Sequence, residues 1–158
     1  MKGIRFISLL TIACLLIGTM VYSQSEERAT KEECILKCKE AAQLINEKGL
    51  ESAIKIFNDK NGPFVWKDSY VFVMDLETGL INAHPFTPEA INNPKVSTFK
   101  DQNGKLFLKD FVKVAKKYEE GWVDYYWPRP GMKILSKKNT FVYKVPGKNL
   151  ATLAGIYE

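Results

Sequence analysis

Histidine occurs once in this chain of 158 residues, at His84. One histidine with no cluster of cysteines around it excludes the ordinary zinc sites, which need three or four nitrogen or sulfur ligands. Cysteine is almost as scarce, with Cys14, Cys34 and Cys38 only. There is no Cys-x-x-Cys-His, so attachment of a c-type haem is excluded. No Ser/Cys–His–Asp constellation is evident, nothing activates a nucleophile, and no cofactor motif is present. The sequence therefore does not read as that of an enzyme, a metalloprotein or a cofactor carrier. The net charge of +5 comes from scattered lysines rather than a basic block. That pattern gives no nucleic-acid-binding arm. Internal repeats and low-complexity stretches are also lacking. The length suits about one domain.

The chain holds a single long apolar run, Phe6 to Val21, preceded by Lys2 and Arg5. Val21-Tyr22-Ser23 places small residues at the −3 and −1 positions of a cut before Gln24, the pattern of a secretory signal peptide. Residues 1–23 are thus expected to be removed, leaving 24–158 as one exported domain, periplasmic or extracellular. An uncleaved membrane anchor is the alternative. Thr11-Ile12-Ala13-Cys14 is a poor lipobox.

Thr30-Lys31-Glu32-Glu33 forms a capping box ahead of a stripe of Cys34, Cys38, Ala41, Ala42 and Ile45. The i,i+4 spacing of the two cysteines is too wide for an unstrained disulfide, and they read as small apolar residues. Gly49 stops this helix, and a second runs from Leu50 to Asn58. The period then changes to two. Phe64 to Asp75 reads as one strand, and Leu80 to His84 returns as its hairpin partner across Glu77-Thr78-Gly79. A long loop with three prolines (Pro85, Pro88, Pro94) follows. Asp101-Gln102-Asn103-Gly104 resembles the start of a calcium loop but lacks the later acidic ligand. Leu108, Phe111, Val112, Ala115 and Tyr118 mark a third helix. Three further strands are expected at Trp122–Trp127, Asn139–Val145 and Leu150–Tyr157. The order implies an α+β domain with an antiparallel five-stranded sheet and helices on one side.

Five segments in this order resemble a known family. They are Phe64 to Asp75, Ala83-His84-Pro85, Asp101 to Lys105, Gly121-Trp122-Val123-Asp124-Tyr125-Tyr126-Trp127-Pro128-Arg129-Pro130-Gly131, and the ending Val145-Pro146-Gly147 with Ala154-Gly155-Ile156-Tyr157. Together they are similar to a single Cache domain of type 2, the PAS-like extracytoplasmic sensor module of bacterial chemoreceptors and histidine kinases. The resemblance implies a PAS-like five-stranded sheet with a long N-terminal helix. It also implies a pocket for a small organic acid such as acetate, propionate or pyruvate, and a membrane signalling protein as partner. Pairing of two copies through the N-terminal helix is a further implication. Family members usually continue into a membrane helix and a signalling module. Because this sequence stops at Glu158, a free-standing binding protein is expected, with a non-binding module that docks on a receptor or kinase as the alternative.

A carboxylate ligand needs a donor at one end and an apolar wall at the other. Lys138, followed two residues later by Phe141, fits the family pattern of a lysine before a strand aromatic that is usually tyrosine; a solvated strand-start lysine is the plain alternative. His84 is a second candidate donor, or a turn residue bonded to backbone. Alternation places Val123, Tyr125 and Trp127 on one side of their strand and Trp122, Asp124 and Tyr126 on the other. The resemblance favours Tyr125 and Trp127 as pocket wall. Trp66, Asp68 and Tyr70 are expected on one side of the first strand, completing the wall, with Asp68 free to orient Lys138. Arg129, held between two prolines, is a candidate carboxylate clamp, with a plain exposed arginine as the alternative.

Overall fold

A computed structural model describes residues 27–158. The expected signal peptide lies outside the described residues. Helix α1 spans Lys31–Lys48 and α2 spans Leu50–Phe57. The capping box forms as expected: the Thr30 hydroxyl accepts from the Glu33 amide at 3.2 Å, and the Glu33 carboxylate accepts from the Thr30 amide at 2.9 Å. Each bond satisfies an amide that the first helical turn would otherwise leave unpaired. Gly49, at φ 78°, separates the two helices in a conformation that a Cβ would disfavour.

Six strands follow: β1 (Val65–Trp66), β2 (Ser69–Asp75), β3 (Ile81–Ala83), β4 (Glu120–Pro128), β5 (Leu135–Lys144) and β6 (Leu150–Tyr157). Helix α3, Phe107–Tyr118, stands between β3 and β4. The sheet is antiparallel in the order β1-β2-β6-β5-β4, and β3 also pairs with β2. The expected α+β, PAS-like layout is therefore present, with three differences. The first expected strand is broken into β1 and β2 by a two-residue turn at Lys67-Asp68, where Lys67 takes φ 48°. The fourth strand begins earlier, at Leu135, because its start pairs with the long β4. The helices do not share one side of the sheet.

Two cores result. On one face, α1 and α2 bury Cys34, Cys38, Ala41, Ala42, Ile45, Ala53 and Phe57 against Val71, Val73, Phe141 and Ala154. Both cysteines there are free. On the other face, Phe107, Leu108, Phe111 and Ala115 of α3 meet Tyr70, Phe72, Val123, Tyr125, Val142 and Leu153. Tyr118, expected on the buried stripe of α3, is instead 58% exposed, because the helix ends there before the chain turns into β4. A polypeptide with a strand run of apolar residues on both faces needs cover on both, which is why one helical layer is insufficient.

The two ends of the described chain are tied to the same place. Asp68 accepts from the Ala29 amide at 2.8 Å and pairs with the Arg129 guanidinium, which also donates to the backbone carbonyl of Glu158 at 3.0 Å. Both partners of the Asp68–Arg129 pair are largely buried. Removing one partner leaves a poorly hydrated charge, which costs about 3 kcal/mol in comparable buried pairs. Asp68→Ala and Arg129→Ala are each expected to destabilise by about that amount, and the double variant by much less than the sum, in a urea-unfolding double-mutant cycle.

Candidate functional site

Lys138 lies at the centre of β5, opposite Tyr125 of β4 and Tyr157 of β6. Its side chain is 0% exposed. Directly opposed residues of antiparallel strands share a face, so all three point toward α3. From β5 the lysine stem crosses β6 and reaches β2, where Nζ donates to the Tyr70 hydroxyl at 3.1 Å. That crossing is possible because β6 carries glycine at the crossing point. A Cβ on Gly155 would stand 2.4 Å from Thr140 Oγ1 and 2.7 Å from Lys138 Cε. A glycine inside a strand commonly marks such a close approach.

Three aromatic rings enclose the amine: Tyr70 at 4.2 Å, Tyr157 at 4.7 Å and Phe72 at 5.8 Å from Nζ to ring centroid. No carboxylate lies within ion-pairing distance among the described residues. Asp68, expected to orient Lys138, is committed to Arg129 and to the start of α1. An ammonium has three donors, and here a single hydrogen bond is made. Burial accordingly pushes the Lys138 pKa down to about 7.

His84 follows β3 and is buried. Its Nδ1 accepts from the amides of Phe86 at 3.2 Å and Thr87 at 3.0 Å. Those bonds require the proton on Nε2, so the ring presents a fixed neutral donor. Burial, aided by the nearby Lys138 charge, lowers its pKa to about 3. The ring packs on Tyr70 at 4.8 Å and Phe72 at 5.5 Å. The Tyr125 hydroxyl accepts from Thr140 at 3.2 Å, and its ring stacks on Phe107 at 4.3 Å. Trp127 meets the same phenylalanine at 5.7 Å. His84, Phe72, Tyr125, Trp127 and Phe111 surround a cavity of about 20 Å³. That is room for roughly one water.

The structure brings Lys138, Tyr70, His84, Tyr125 and Trp127 together on the α3 face. It removes two candidates from that group. Phe141 belongs to the opposite core, 5.2 Å from Trp122, because it is three residues from Lys138 in a strand of period two. Trp66 packs in the same opposite core. The turn at Lys67-Asp68 folds β1 back on β2, so Trp66 opposes Ser69 and parts from Tyr70. Arg129 is not a free clamp: it is engaged by Asp68 and Glu158 and lies over the Tyr157 ring at 5.0 Å. Sequence reasoning missed Tyr157, Phe72, Thr140 and Phe107. Tyr157 and Gly155 both stand in the terminal motif, and the strand glycine was the available signal.

A sequence model of the family described as Single Cache domain 2 matches residues 9–158. Three solved structures share the fold. A periplasmic sensor domain of a chemotaxis protein is 23% identical with a TM-score of 0.62, over 80% of this chain and 88% of its own. A Cache chemosensory domain solved for its carboxylic acid recognition is 22% identical with a TM-score of 0.67, over 80% and 91%. A methyl-accepting chemotaxis protein of Vibrio parahaemolyticus is 18% identical with a TM-score of 0.67, over 80% and 87%.

Two outcomes follow from this geometry. Gly155→Ala is expected to destabilise by about 1–3 kcal/mol through overpacking, read as a lowered Tm, and to separate Lys138 from Tyr70. Lys138→Met removes a buried amine and is expected to stabilise the ligand-free protein by about 1–4 kcal/mol. The sign with pH is fixed by the lowered pKa. Below about pH 7 the lysine is protonated in both folded and unfolded chains, and the full cost is present. Between there and the ordinary lysine value only the unfolded chain binds the proton, so wild-type stability rises with pH. Urea unfolding at pH 6 and pH 10 is therefore expected to show the advantage of Lys138→Met shrinking at the higher pH.

Proposed function

The chain belongs to the Single Cache domain 2 family, and from that premise we propose that it is an exported sensor-type domain that binds a small organic acid, of the acetate, propionate or pyruvate class, at Lys138 on the α3 face. The observation that carries this reading is the buried amine with one hydrogen bond and no acidic partner among the described residues. An isolated buried cation is costly, and an anion delivered by a ligand offsets that cost. A ligand carboxylate would meet the Lys138 ammonium, with His84 Nε2–H and the Tyr70 hydroxyl as neutral donors. Tyr125 and Trp127 would form the apolar wall. This division of a few polar groups among aromatic ones is the usual build of a small-ligand site. The likeness to a chemosensory domain that recognises carboxylic acids supports the same chemistry.

The cavity of about 20 Å³ is smaller than any of these acids, so binding requires the segment from His84 to Phe99 to move outward from α3 and the sheet. Loops of this length without regular strands commonly act as lids. The same closure favours a second reading, in which the domain docks on a membrane receptor or kinase without a ligand. Exposed Met132, Ile134 and Leu135 in and beside the β4–β5 connection support that reading. In either case the partner is a membrane signalling protein, and residues 1–23 direct export.

A thermal-shift titration of the purified protein with small mono- and dicarboxylates decides between them. A ligand that binds the native state alone raises Tm with concentration. The expected result is a concentration-dependent rise with a monocarboxylate, lost in Lys138→Met, with affinity falling as pH rises through about 7 and the amine loses its proton. No rise across the panel in a folded sample transfers the assignment to the docking module.

A further inference from the structure

The reading of Lys138 as the ligand's anchor leaves open which atom of the ligand meets Nζ. We propose that Lys138 captures 2-oxo carboxylic acids covalently, as a reversible imine between Nζ and the 2-oxo carbon. The inference rests on the preceding reading and sharpens its ligand class. Three features of the site carry it. The amine is enclosed by the rings of Tyr70, Tyr157 and Phe72, and its side chain is fully buried. No carboxylate side chain among the described residues pairs with it, so no ion pair holds it in the ammonium form. Its one hydrogen bond, to Tyr70, orients it without blocking the nitrogen. A lysine desolvated in an apolar pocket is the usual form of a nucleophilic amine.

The step balances without an oxidant or reductant. The Nζ lone pair attacks the 2-oxo carbon, and the carbonyl π pair moves to oxygen. Both hydrogens of the neutral amine then leave with that oxygen as one water, so C=O is broken and C=N is formed. Protonation of the imine nitrogen by solvent gives an iminium beside the ligand's own carboxylate. The buried positive charge is then neutralised within the adduct, which explains why the site needs no acidic residue. A simple acid such as acetate has no carbonyl carbon able to do this. His84 Nε2–H remains as a neutral donor to the carboxylate.

The groups around Lys138 do not compete for protons near neutrality. Tyr70 on β2, Tyr125 on β4 and Tyr157 on β6 are all pushed up by burial. Cys34 on α1 is raised to about 11 and His84 lowered to about 3. Asp68 in the β1–β2 turn is paired with Arg129. Among these tyrosine, cysteine, histidine and lysine groups, Lys138 is thus the one that titrates between pH 5 and pH 9. The two binding modes then carry opposite pH signs. An ion pair to the ammonium weakens above about pH 7, whereas attack by the amine speeds up through the same range.

The test treats the purified protein with pyruvate and sodium cyanoborohydride, with acetate as the non-carbonyl control, and follows intact mass and peptide maps. The expected result is one reduced adduct per chain, mapped to Lys138, forming at least about tenfold faster than at any solvated lysine. Its rate rises between pH 5 and pH 7, and no adduct maps to position 138 in Lys138→Met. Mapping of the wild-type adduct is decisive even if that variant does not fold. Adducts spread evenly over surface lysines overturn the proposal. If pyruvate and acetate both raise Tm while Lys138 stays unmodified, the imine is wrong and the ion-pair reading stands. If neither raises Tm and Lys138 stays unmodified, both fall. A Lys138 adduct without any shift from acetate keeps the imine and removes the ion pair.

Discussion

A lysine stem laid across a glycine is the contact on which the α3 face depends. Lys138 starts on β5 and ends at Tyr70 on β2, one strand further than its neighbours, and Gly155 on the intervening β6 is what lets it through. Once the amine is there, its surroundings follow. Tyr157 and Phe72 close over it, His84 packs on Tyr70, and Tyr125 stands beside it on β4. The free energy of burying a cation with one hydrogen bond is unfavourable, so the rest of the fold must hold it in place. Two well-filled apolar cores, one on each face of the sheet, supply that support.

The cluster at Asp68 and Arg129 connects this site to the ends of the described chain. Arg129 lies over the ring of Tyr157, whose other neighbour is the Lys138 amine. The Tyr157 hydroxyl donates to the carbonyl of Pro128 at 2.9 Å, holding the end of β4 against β6. Asp68 in turn receives the amide of Ala29, one residue before the cap of α1. Arg129, expected as a ligand contact, is engaged by Asp68 and the Glu158 carbonyl and braces one wall of the site. Its two neighbouring prolines suit that task, since they restrict the backbone that carries it.

The far edge of the sheet is managed by side chains in place of another strand. Asp101 accepts from the amides of Asn103 and Lys105 and from that of Tyr126 in β4, while Lys105 donates to the carbonyl of Asp124. The Asp101–Lys105 turn thereby covers part of an exposed strand edge that would otherwise invite pairing with another chain. The acidic turn, which has the look of a calcium loop in sequence, spends its carboxylate on backbone amides.

Local patterns were legible in the sequence because their causes are local. The capping box at Thr30, the buried stripe of α1, the stop at Gly49 and the alternation of Val123, Tyr125 and Trp127 each follow from spacing within a few residues. The family's order of motifs likewise pointed to the fold and to Lys138, Tyr125 and Trp127, while side-chain chemistry singled out His84 and strand alternation Tyr70. What neighbouring residues do not encode is which face a residue serves after a turn. A two-residue reversal at Lys67-Asp68 sent Trp66 to the opposite core, and strand parity sent Phe141 there too. The engagement of Asp68 with Arg129, across 61 residues of chain, was equally invisible before the sheet closed. Sequence alone determined the elements and the types of side chain available, through short-range sterics and hydrogen bonding. Only the tertiary structure decided which of them share a face, because that depends on strand register and on the one glycine over which Lys138 passes.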